Sequence, residues 1–214
     1  MTTIIEEDSD NISWYDGWFY ANIIDRLSGK PFSKVIKSMI NPNDSVIDIG
    51  CGTGSLVLNI ADHCDRVIGL DISPKMIRYA NKAKRESPHS RVEFRLIDRN
   101  ADLSAIFDQP FDCAIAKMVL HETRPEIRNR LIENIKKISG YAILTDWIYP
   151  QPGGIPGIMT KMIEYTAGKE HYRNFLNWCS LGGLDGFLEI HRFKIVAEKL
   201  FKNSTGKIAK VTWD

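Results

Sequence analysis

The stretch Ser45-Val-Ile-Asp-Ile-Gly-Cys-Gly-Thr-Gly54 joins a short run of β-branched residues to a cluster of three glycines. Such a run indicates a buried strand, and the pattern of residues 55–61 behind it indicates a helix packed on a sheet. Glycines between a strand and a helix let a ligand approach the backbone closely. The stretch therefore predicts a nucleotide-type binding loop.

The same alternation of strand and helix patterns continues along the chain. Ser73 and Pro74 begin the helix after the second strand, and Thr123 with Glu126 predicts a capping box at the start of a later one. Five strands connected by helices indicate a parallel, doubly wound sheet. The predicted strands after the first are Arg66–Asp71, Val92–Asp98, Phe111–Ala116 and Tyr141–Asp146.

The end of the chain carries a different pattern. Residues 193–201 and 207–213 are two strand-like runs separated by a short polar turn, which predicts a hairpin at the sheet edge with one antiparallel strand. The fold class is therefore α/β, a Rossmann-like, mainly parallel seven-stranded sheet with a C-terminal antiparallel hairpin. A length of 214 residues predicts a single domain. Residues 1–40 are expected to form an N-terminal helical lid, and 148–187 a helical insertion over the active site.

Composition excludes several classes of protein. With 28 basic and 27 acidic residues, the chain lacks the basic excess of a protein that follows a phosphate backbone, so nucleic acid is not expected as a partner. Its apolar runs are shorter than the roughly 18 residues needed to span a membrane. The four cysteines are widely spaced and no secretory signal is visible, which favours free thiols and a cytoplasmic location.

The acid Asp48, two residues before Gly50, distinguishes between possible ligands. Dinucleotide-binding folds place a pyrophosphate at this helix N-terminus. A carboxylate about 4 Å away would repel it by a few kcal/mol at moderate effective dielectric. A ligand with a cationic amino group would be attracted, so Asp48 favours a nucleoside that carries an amino acid over NAD.

Two further acids follow consecutive strands. Asp71 ends the second strand, where a carboxylate can accept both ribose hydroxyls. Ile72 beside it is a candidate to pack on an adenine face, and Asp98 after the third strand to accept the adenine amino group. For each acid the alternative is a loop carboxylate that caps a nearby helix.

The segments Val46–Gly54 and Val67–Met76 together resemble class I S-adenosylmethionine-dependent methyltransferases, as does the closing hairpin. The motif Leu120-His-Glu122 is similar to the subgroup that acts on ubiquinone and menaquinone precursors and other small molecules. The resemblance implies S-adenosyl-L-methionine as cofactor, with S-adenosyl-L-homocysteine as its product. It covers roughly residues 12–147 and the last two strands.

The resemblance also implies roles for individual residues. Asp48 would lie near the methionine amino group, Asp71 would hold the ribose, and Lys117 would supply backbone near the methionine part. The residues expected against other parts of the cofactor are Gly50, Cys51, Gly52, Gly54, Ile72, Met76, Asp98 and Arg99.

Methyl transfer from a sulfonium needs the nucleophile held in line and water excluded, and needs a base only if the nucleophile must lose a proton. His121 follows the fourth strand and is a candidate to deprotonate or orient the acceptor, the alternative being a histidine that satisfies local hydrogen bonds. His171 in the insertion is the second catalytic candidate. Glu122 is expected to cap the next helix rather than to orient His121.

Aromatic residues are concentrated in the N-terminal lid and in the helical insertion. Some are expected to line an apolar pocket above the sulfonium, although most are expected to anchor these two segments to the core. At least two of four tyrosines are expected to contact cofactor or substrate: Tyr15, Tyr20, Tyr165 and Tyr172.

No metal is expected, because a catechol-type magnesium site needs acids after the fourth and fifth strands. Asp146 is available after the fifth strand, but Lys117 after the fourth would oppose a cation.

Taken together, the sequence predicts a monomeric or homodimeric methyltransferase for a small, partly apolar acceptor. The alternatives are a cofactor-binding sensor or scaffold without turnover, and an RNA or protein methyltransferase.

Overall fold

A computed structural model of the chain describes residues 25–214, with side chains from Phe32 onward. It confirms the predicted α/β class and the seven-stranded sheet. The strands are β1 (Ser45–Ile49), β2 (Arg66–Asp71), β3 (Val92–Leu96), β4 (Phe111–Lys117), β5 (Ser139–Trp147), β6 (Lys194–Leu200) and β7 (Gly206–Thr212). The helices of the described residues are α1 (Asp25–Met39), α2 (Ser55–Ile60), α3 (Pro74–Arg85), α4 (Leu103–Ile106), α5 (Pro125–Ile138), α6 (Ile155–Thr166), α7 (Lys169–Ser180) and α8 (Gly183–Ile190).

The order of strands places the binding crevice. They follow the sequence β3-β2-β1-β4-β5-β7-β6, so the order reverses between β1 and β4. Strands β1 to β5 run parallel, and β7 runs antiparallel to both β5 and β6, as the predicted hairpin requires. Ligands of open α/β sheets bind at the carboxyl ends of the strands where the order reverses. The loops after β1 and β4 meet at that point.

Helices cover both faces of the sheet, which is why β1 and β4 are mostly apolar and buried on both faces rather than alternating. Val46 and Ile47 of β1 point to opposite faces, and neither has any exposed area. Val46 packs in one core with Ile36 of α1, while Ile47 packs in the other with Ile135 of α5. The helix α3 begins as predicted, since Ser73 Oγ accepts a hydrogen bond from Met76 N at 3.3 Å.

The predicted capping box at the start of α5 is wrong. The helix begins at Pro125 behind Arg124, whose side chain makes no capping hydrogen bond. Thr123 instead donates from Oγ1 to the carbonyl of Val119 at 2.6 Å. The Thr123 hydroxyl thus bonds the carbonyl four residues earlier, and the helix cap lies one residue after the position that the capping box assigned to it.

The buried Arg128 of α5 fixes the loop between β4 and α5. Its side chain is 1% exposed, and its guanidinium donates to the carbonyls of Leu120 and Thr123 at 2.7 and 2.8 Å. It also donates to Asn177 Oδ1 of α7 at 3.1 Å and lies 5.1 Å above the ring of Trp178. One arginine therefore connects the loop after β4 to the insertion.

Helices α6, α7 and α8 occupy the predicted insertion, which continues to Ile190 rather than ending at residue 187. Of the predicted N-terminal lid, α1 is described, and Phe32 on it contacts the ring of Phe201 at 4.5 Å between centroids. The tyrosines Tyr15 and Tyr20 lie outside the described residues. None of the helices within residues 25–214 is both long and apolar enough to cross a membrane.

Replacing Arg128 by methionine should lower the free energy of unfolding by about 3 kcal/mol, because two buried carbonyls lose their donors. Arg130→Met on the exposed side of the same helix is the matched control, with an expected effect below about 0.5 kcal/mol. Urea unfolding measures both variants. Equal midpoints for the two variants would contradict the assigned role of Arg128.

Candidate active site

The loop after β1 contains three glycines with left-handed backbone angles, φ +77° at Gly50, +55° at Gly52 and +78° at Gly54. The amides of Gly50 and Cys51 donate to the carbonyl of Leu70 at 2.8 and 2.9 Å, which fixes the loop on the end of β2. Backbone hydrogen bonds therefore fix the start of the loop.

The three glycines are needed for different reasons. A Cβ on Gly54 would lie 2.4 Å from the ring of Phe94, and one on Gly50 would lie 3.0 Å from Val119 in the loop after β4. A Cβ on Gly52 would meet no atom of the described residues within 4 Å. Gly54 thus serves packing and Gly50 the close approach of two loops, while the space beside Gly52 is open within the described part of the chain.

Asp71 orders this loop. Its Oδ2 accepts a hydrogen bond from the amide of Gly52 and its Oδ1 one from the amide of Ser73, both at 2.8 Å. Burial raises the pKa of the Asp71 carboxyl above its usual range, and these amides offset part of the rise. A carboxylate can accept about four hydrogen bonds, so the side chain retains capacity for ligand hydroxyls.

Asp48 provides a second carboxylate beneath the loop. It is 1% exposed and lies in register between Gly69 of β2 and Ile115 of β4. The negative charge of the two acids also acts on the Cys51 thiol. Burial raises the pKa of this thiol most, and the charges of Asp48 and Asp71 raise it further. A site with this negative potential opposes a diphosphate and attracts a cationic amino group.

The remaining cofactor candidates surround the loop. Ile72 is 46% exposed beside Asp71, while Met76 and Lys117 are half-buried. Asp98 and Arg99 are exposed. Their contacts with a nucleoside stay predictions.

Asp98 follows strand β3 rather than ending it, since the strand stops at Leu96. Its Oδ1 accepts a hydrogen bond from the amide of Asn100 at 2.7 Å. The carboxylate therefore stabilises its own loop and caps no helix, since the cap of α4 is Asp102. The contact of Asp98 with adenine stays a prediction.

The candidate catalytic residue His121 lies between two carboxylates. Its Nδ1 is 2.8 Å from Asp146 Oδ1, and its Nε2 is 3.4 Å from Glu164 Oε2. The side chain is 4% exposed. Burial alone would lower the pKa of His121, but Asp146 and Glu164 hold it well above its usual range. Because both ring nitrogens face acids, this geometry favours the orienting role over that of a base.

Asp146 is fully buried and is held by backbone amides as well as by the histidine. Its Oδ2 accepts from the amides of Leu120 and His121 at 3.1 and 3.2 Å, and its Oδ1 from the amide of Trp147 at 2.7 Å. The carboxylate thereby connects the end of β5 to the loop after β4. It does not face the crevice as a catechol-type metal ligand would.

The second candidate, His171 of α7, lies beside His121 with 5.5 Å between ring centroids. Its Nε2 is 2.5 Å from Glu164 Oε2, and its Nδ1 is 3.7 Å from Glu122 Oε2. Glu122 therefore faces His171 instead of capping α5, which corrects the capping expectation. The structure brings both predicted histidines into one group.

Sequence reasoning missed Glu164 and Trp147. Glu164 on α6 is buried, and its Oε1 accepts from Trp147 Nε1 at 2.8 Å. Burial opposes the change, yet hydrogen bonds from His121 and His171 lower the pKa of Glu164 to about 2. The available signal was the single acid in the twelve residues of α6, which are otherwise mostly apolar.

The chain matches a sequence profile described as "Methyltransferase domain" over residues 40–180. It belongs to this methyltransferase-domain family. The resemblance drawn from the glycine loop and from Asp71 is thereby confirmed.

Two curated relatives and one solved structure illustrate the similarity. The chain is 36% identical over 101 residues to juvenile hormone acid O-methyltransferase of Bombyx mori, covering 45% of the chain and 34% of that protein. It is 29% identical over 151 residues to ubiquinone biosynthesis O-methyltransferase of Leptothrix cholodnii, covering 65% and 63%. The chain thus spans less than two thirds of the length of either relative.

The fold matches that of magnesium protoporphyrin IX methyltransferase from Synechocystis, crystallised with bound S-adenosyl-L-homocysteine. The TM-score is 0.66 at 19% identity, with 94% of each chain covered. At this identity the likeness concerns the fold.

The different roles of the glycines can be measured through stability. Gly52→Ala should cost about 1 kcal/mol for its left-handed backbone. Gly54→Ala should cost about 1–3 kcal/mol more, since the added methyl group overlaps the ring of Phe94. Urea unfolding of both variants tests this, and a Gly52→Ala variant that is the less stable of the two would refute the assignment.

Proposed function

We propose that this protein is an S-adenosyl-L-methionine-dependent methyltransferase that acts on a small, partly apolar acceptor by in-line methyl transfer. The observation that carries the proposal is the pair of buried carboxylates, Asp48 and Asp71, on either side of a loop whose Gly52 faces open space. Membership of the methyltransferase-domain family supports it.

The donor set fits this cofactor. Asp71 can accept ribose hydroxyls in addition to its two backbone amides. Asp48 supplies the charge that a methionine amino group requires, and the left-handed loop leaves room at Gly52. When bound, the cofactor supplies an electrophilic methyl group on a sulfonium. The residues of the chain have to hold the reactants in line and exclude water.

Two observations support a partly apolar acceptor. Helix α6, whose buried face carries Glu164 of the histidine group, exposes apolar side chains on its other face, among them Ile158 at 60%, Met159 at 54% and Met162 at 62%. The two curated relatives are named for O-methylation of a juvenile hormone acid and in ubiquinone biosynthesis. An acceptor that combines an oxygen with an apolar body fits both observations.

In this proposal the insertion at 148–187 and the N-terminal segment cover the acceptor within a single domain. His171, 14% exposed, faces the acceptor, and His121 behind it orients the site. The rings of Tyr165 and Tyr172 lie 5.3 Å apart on the same insertion. A cytoplasmic location and a monomeric or homodimeric state remain predictions.

One observation favours the RNA-methyltransferase alternative. Helix α3 carries five basic residues and no acid, and a surface cavity of about 860 Å³ lies beside it. The charged residues that line the cavity are Arg78, Lys82, Lys84, Arg85 and His89. The cavity lies along the later turns of the helix and the residues that follow it, whereas the first turn begins beside Asp71.

Cofactor binding should raise the thermal stability of the protein. At 100 times its dissociation constant, S-adenosyl-L-homocysteine should stabilise the fold by roughly 2.7 kcal/mol. Asp71→Asn should lose most of this shift relative to its own unliganded midpoint. Asp65→Asn, an exposed acid paired with Arg91, should retain it. Stabilisation by NAD but not by S-adenosyl-L-homocysteine would refute the proposal.

The acceptor class can be tested with methyl-labelled cofactor. Incubation with separate metabolite, RNA and protein fractions of a cell extract should transfer label to a solvent-extractable small molecule. Label found in RNA or protein alone would replace the small-molecule assignment. Tight cofactor binding without transfer to any fraction would support the sensor alternative.

A further inference from the structure

The group around His121 has the composition of a metal site. His121, Glu122 and His171 can each direct one ligand atom so that all three atoms lie within 4.8 Å of one another. An ion such as Zn²⁺ holds its ligands at about 2.0–2.2 Å, so such atoms would need to move by about 1 Å or less to share it. Two imidazoles and a carboxylate form a familiar donor set for divalent transition metals.

Each histidine is oriented by a carboxylate that is not among these three residues. Asp146 lies 2.8 Å from Nδ1 of His121, and Glu164 lies 2.5 Å from Nε2 of His171. Histidines that bind metals almost always donate their other nitrogen in this way, which fixes the tautomer and strengthens the ligand. Each of the two histidines therefore has the supporting carboxylate that a metal-binding histidine usually has.

The supporting acids are fixed in turn. Asp146 accepts three backbone amides, and Glu164 accepts the indole N–H of Trp147. Both carboxylates are therefore held in place before any ion binds. Preorganised supporting groups are what distinguish a built metal site from a chance cluster of ionisable residues.

The charge of the group also favours a cation. Its three carboxylates, on Asp146, Glu164 and Glu122, face two imidazoles, leaving one negative charge in excess even when both rings are protonated. Asp146 and Glu164 are almost fully buried. Uncompensated charge is costly in such surroundings. A divalent ion that replaces the two ring protons supplies the same two positive charges, so the acids that face two imidazoliums are equally balanced by one ion between two neutral imidazoles.

The distance between His121 Nε2 and Glu164 Oε2 also supports ion binding by His121. At 3.4 Å it is longer than the 2.7–2.9 Å or so of a charge-assisted hydrogen bond. The same Glu164 oxygen lies 2.5 Å from His171 Nε2. Glu164 therefore supports His171 and holds His121 Nε2 only weakly, which lets that nitrogen bind an ion.

We propose that His121, Glu122 and His171 bind a divalent transition-metal ion, with Asp146 and Glu164 as supporting carboxylates. The site lies two residues beyond Val119, which contacts the glycine loop. It differs from a catechol-type site, because Asp146 is enclosed and is not a ligand. The ion is held whether or not the protein transfers methyl groups.

The test is a titration of the chelator-treated full chain with Zn²⁺ alone, followed by calorimetry, and with Co²⁺, followed by visible absorption. One ion per chain is expected. Glu122→Gln and His171→Gln should each weaken binding at least tenfold. The matched control is Glu170→Gln, which removes an exposed acid paired with Arg124, and it should bind as the unaltered chain does.

Glu122 is 37% exposed, so its variant tests the site even if the histidine variant does not fold. The half-buried Cys179 provides a control for thiol binding, and Cys179→Ser should leave the affinity unchanged. The absence of saturable binding, or equal affinity in the Glu122→Gln and Glu170→Gln variants, overturns the proposal. The shift caused by S-adenosyl-L-homocysteine in the same samples reports separately on the methyltransferase proposal.

Discussion

The carboxylate of Asp146 is the interaction on which the arrangement of the site depends. Fully buried at the end of β5, it accepts hydrogen bonds from backbone amides of the loop after β4, from the amide of Trp147 and from the ring of His121. A buried acid is tolerated only when its lone pairs are satisfied, and here backbone amides satisfy most of them. The loop after β4 is thereby fixed to the neighbouring strand, and His121 with it.

The crevice has two halves that are built by different means. The half around Gly52 and Asp71 belongs to the sheet, is held by backbone bonds and by the Asp71 carboxylate, and has a negative potential. The half around His121 and His171 is assembled from the loop after β4 and from the insertion, and depends on hydrogen bonds between imidazoles and carboxylates. Val119 lies against Gly50 and joins the two halves. Binding of the cofactor and recognition of the acceptor can therefore change separately.

Sequence patterns predicted what depends on local structure. The strands, the Ser73 cap and the glycine loop each follow from residues close together in the chain. One failed prediction chose the wrong local contact, and the other missed a contact between distant parts of the chain. Thr123 bonds Val119 instead of capping α5, and Glu122 faces a histidine that stands 49 positions later in the chain, at residue 171.

Helix α6 shows why the buried face of an insertion helix could not be predicted from the spacing of its apolar residues. A surface helix usually buries its apolar face. This one buries Gly157, Thr160 and Glu164 and exposes larger apolar side chains, including Ile158 and Met162. If the helix were rotated to bury its apolar side chains, Glu164 would face solvent and the two histidines would lose the acid between them. The helix is thus positioned by the ion pairs and by the indole of Trp147, and the apolar surface that it presents is the consequence. Exposed apolar surface next to buried polar groups is typical of a face that contacts a ligand or partner rather than water.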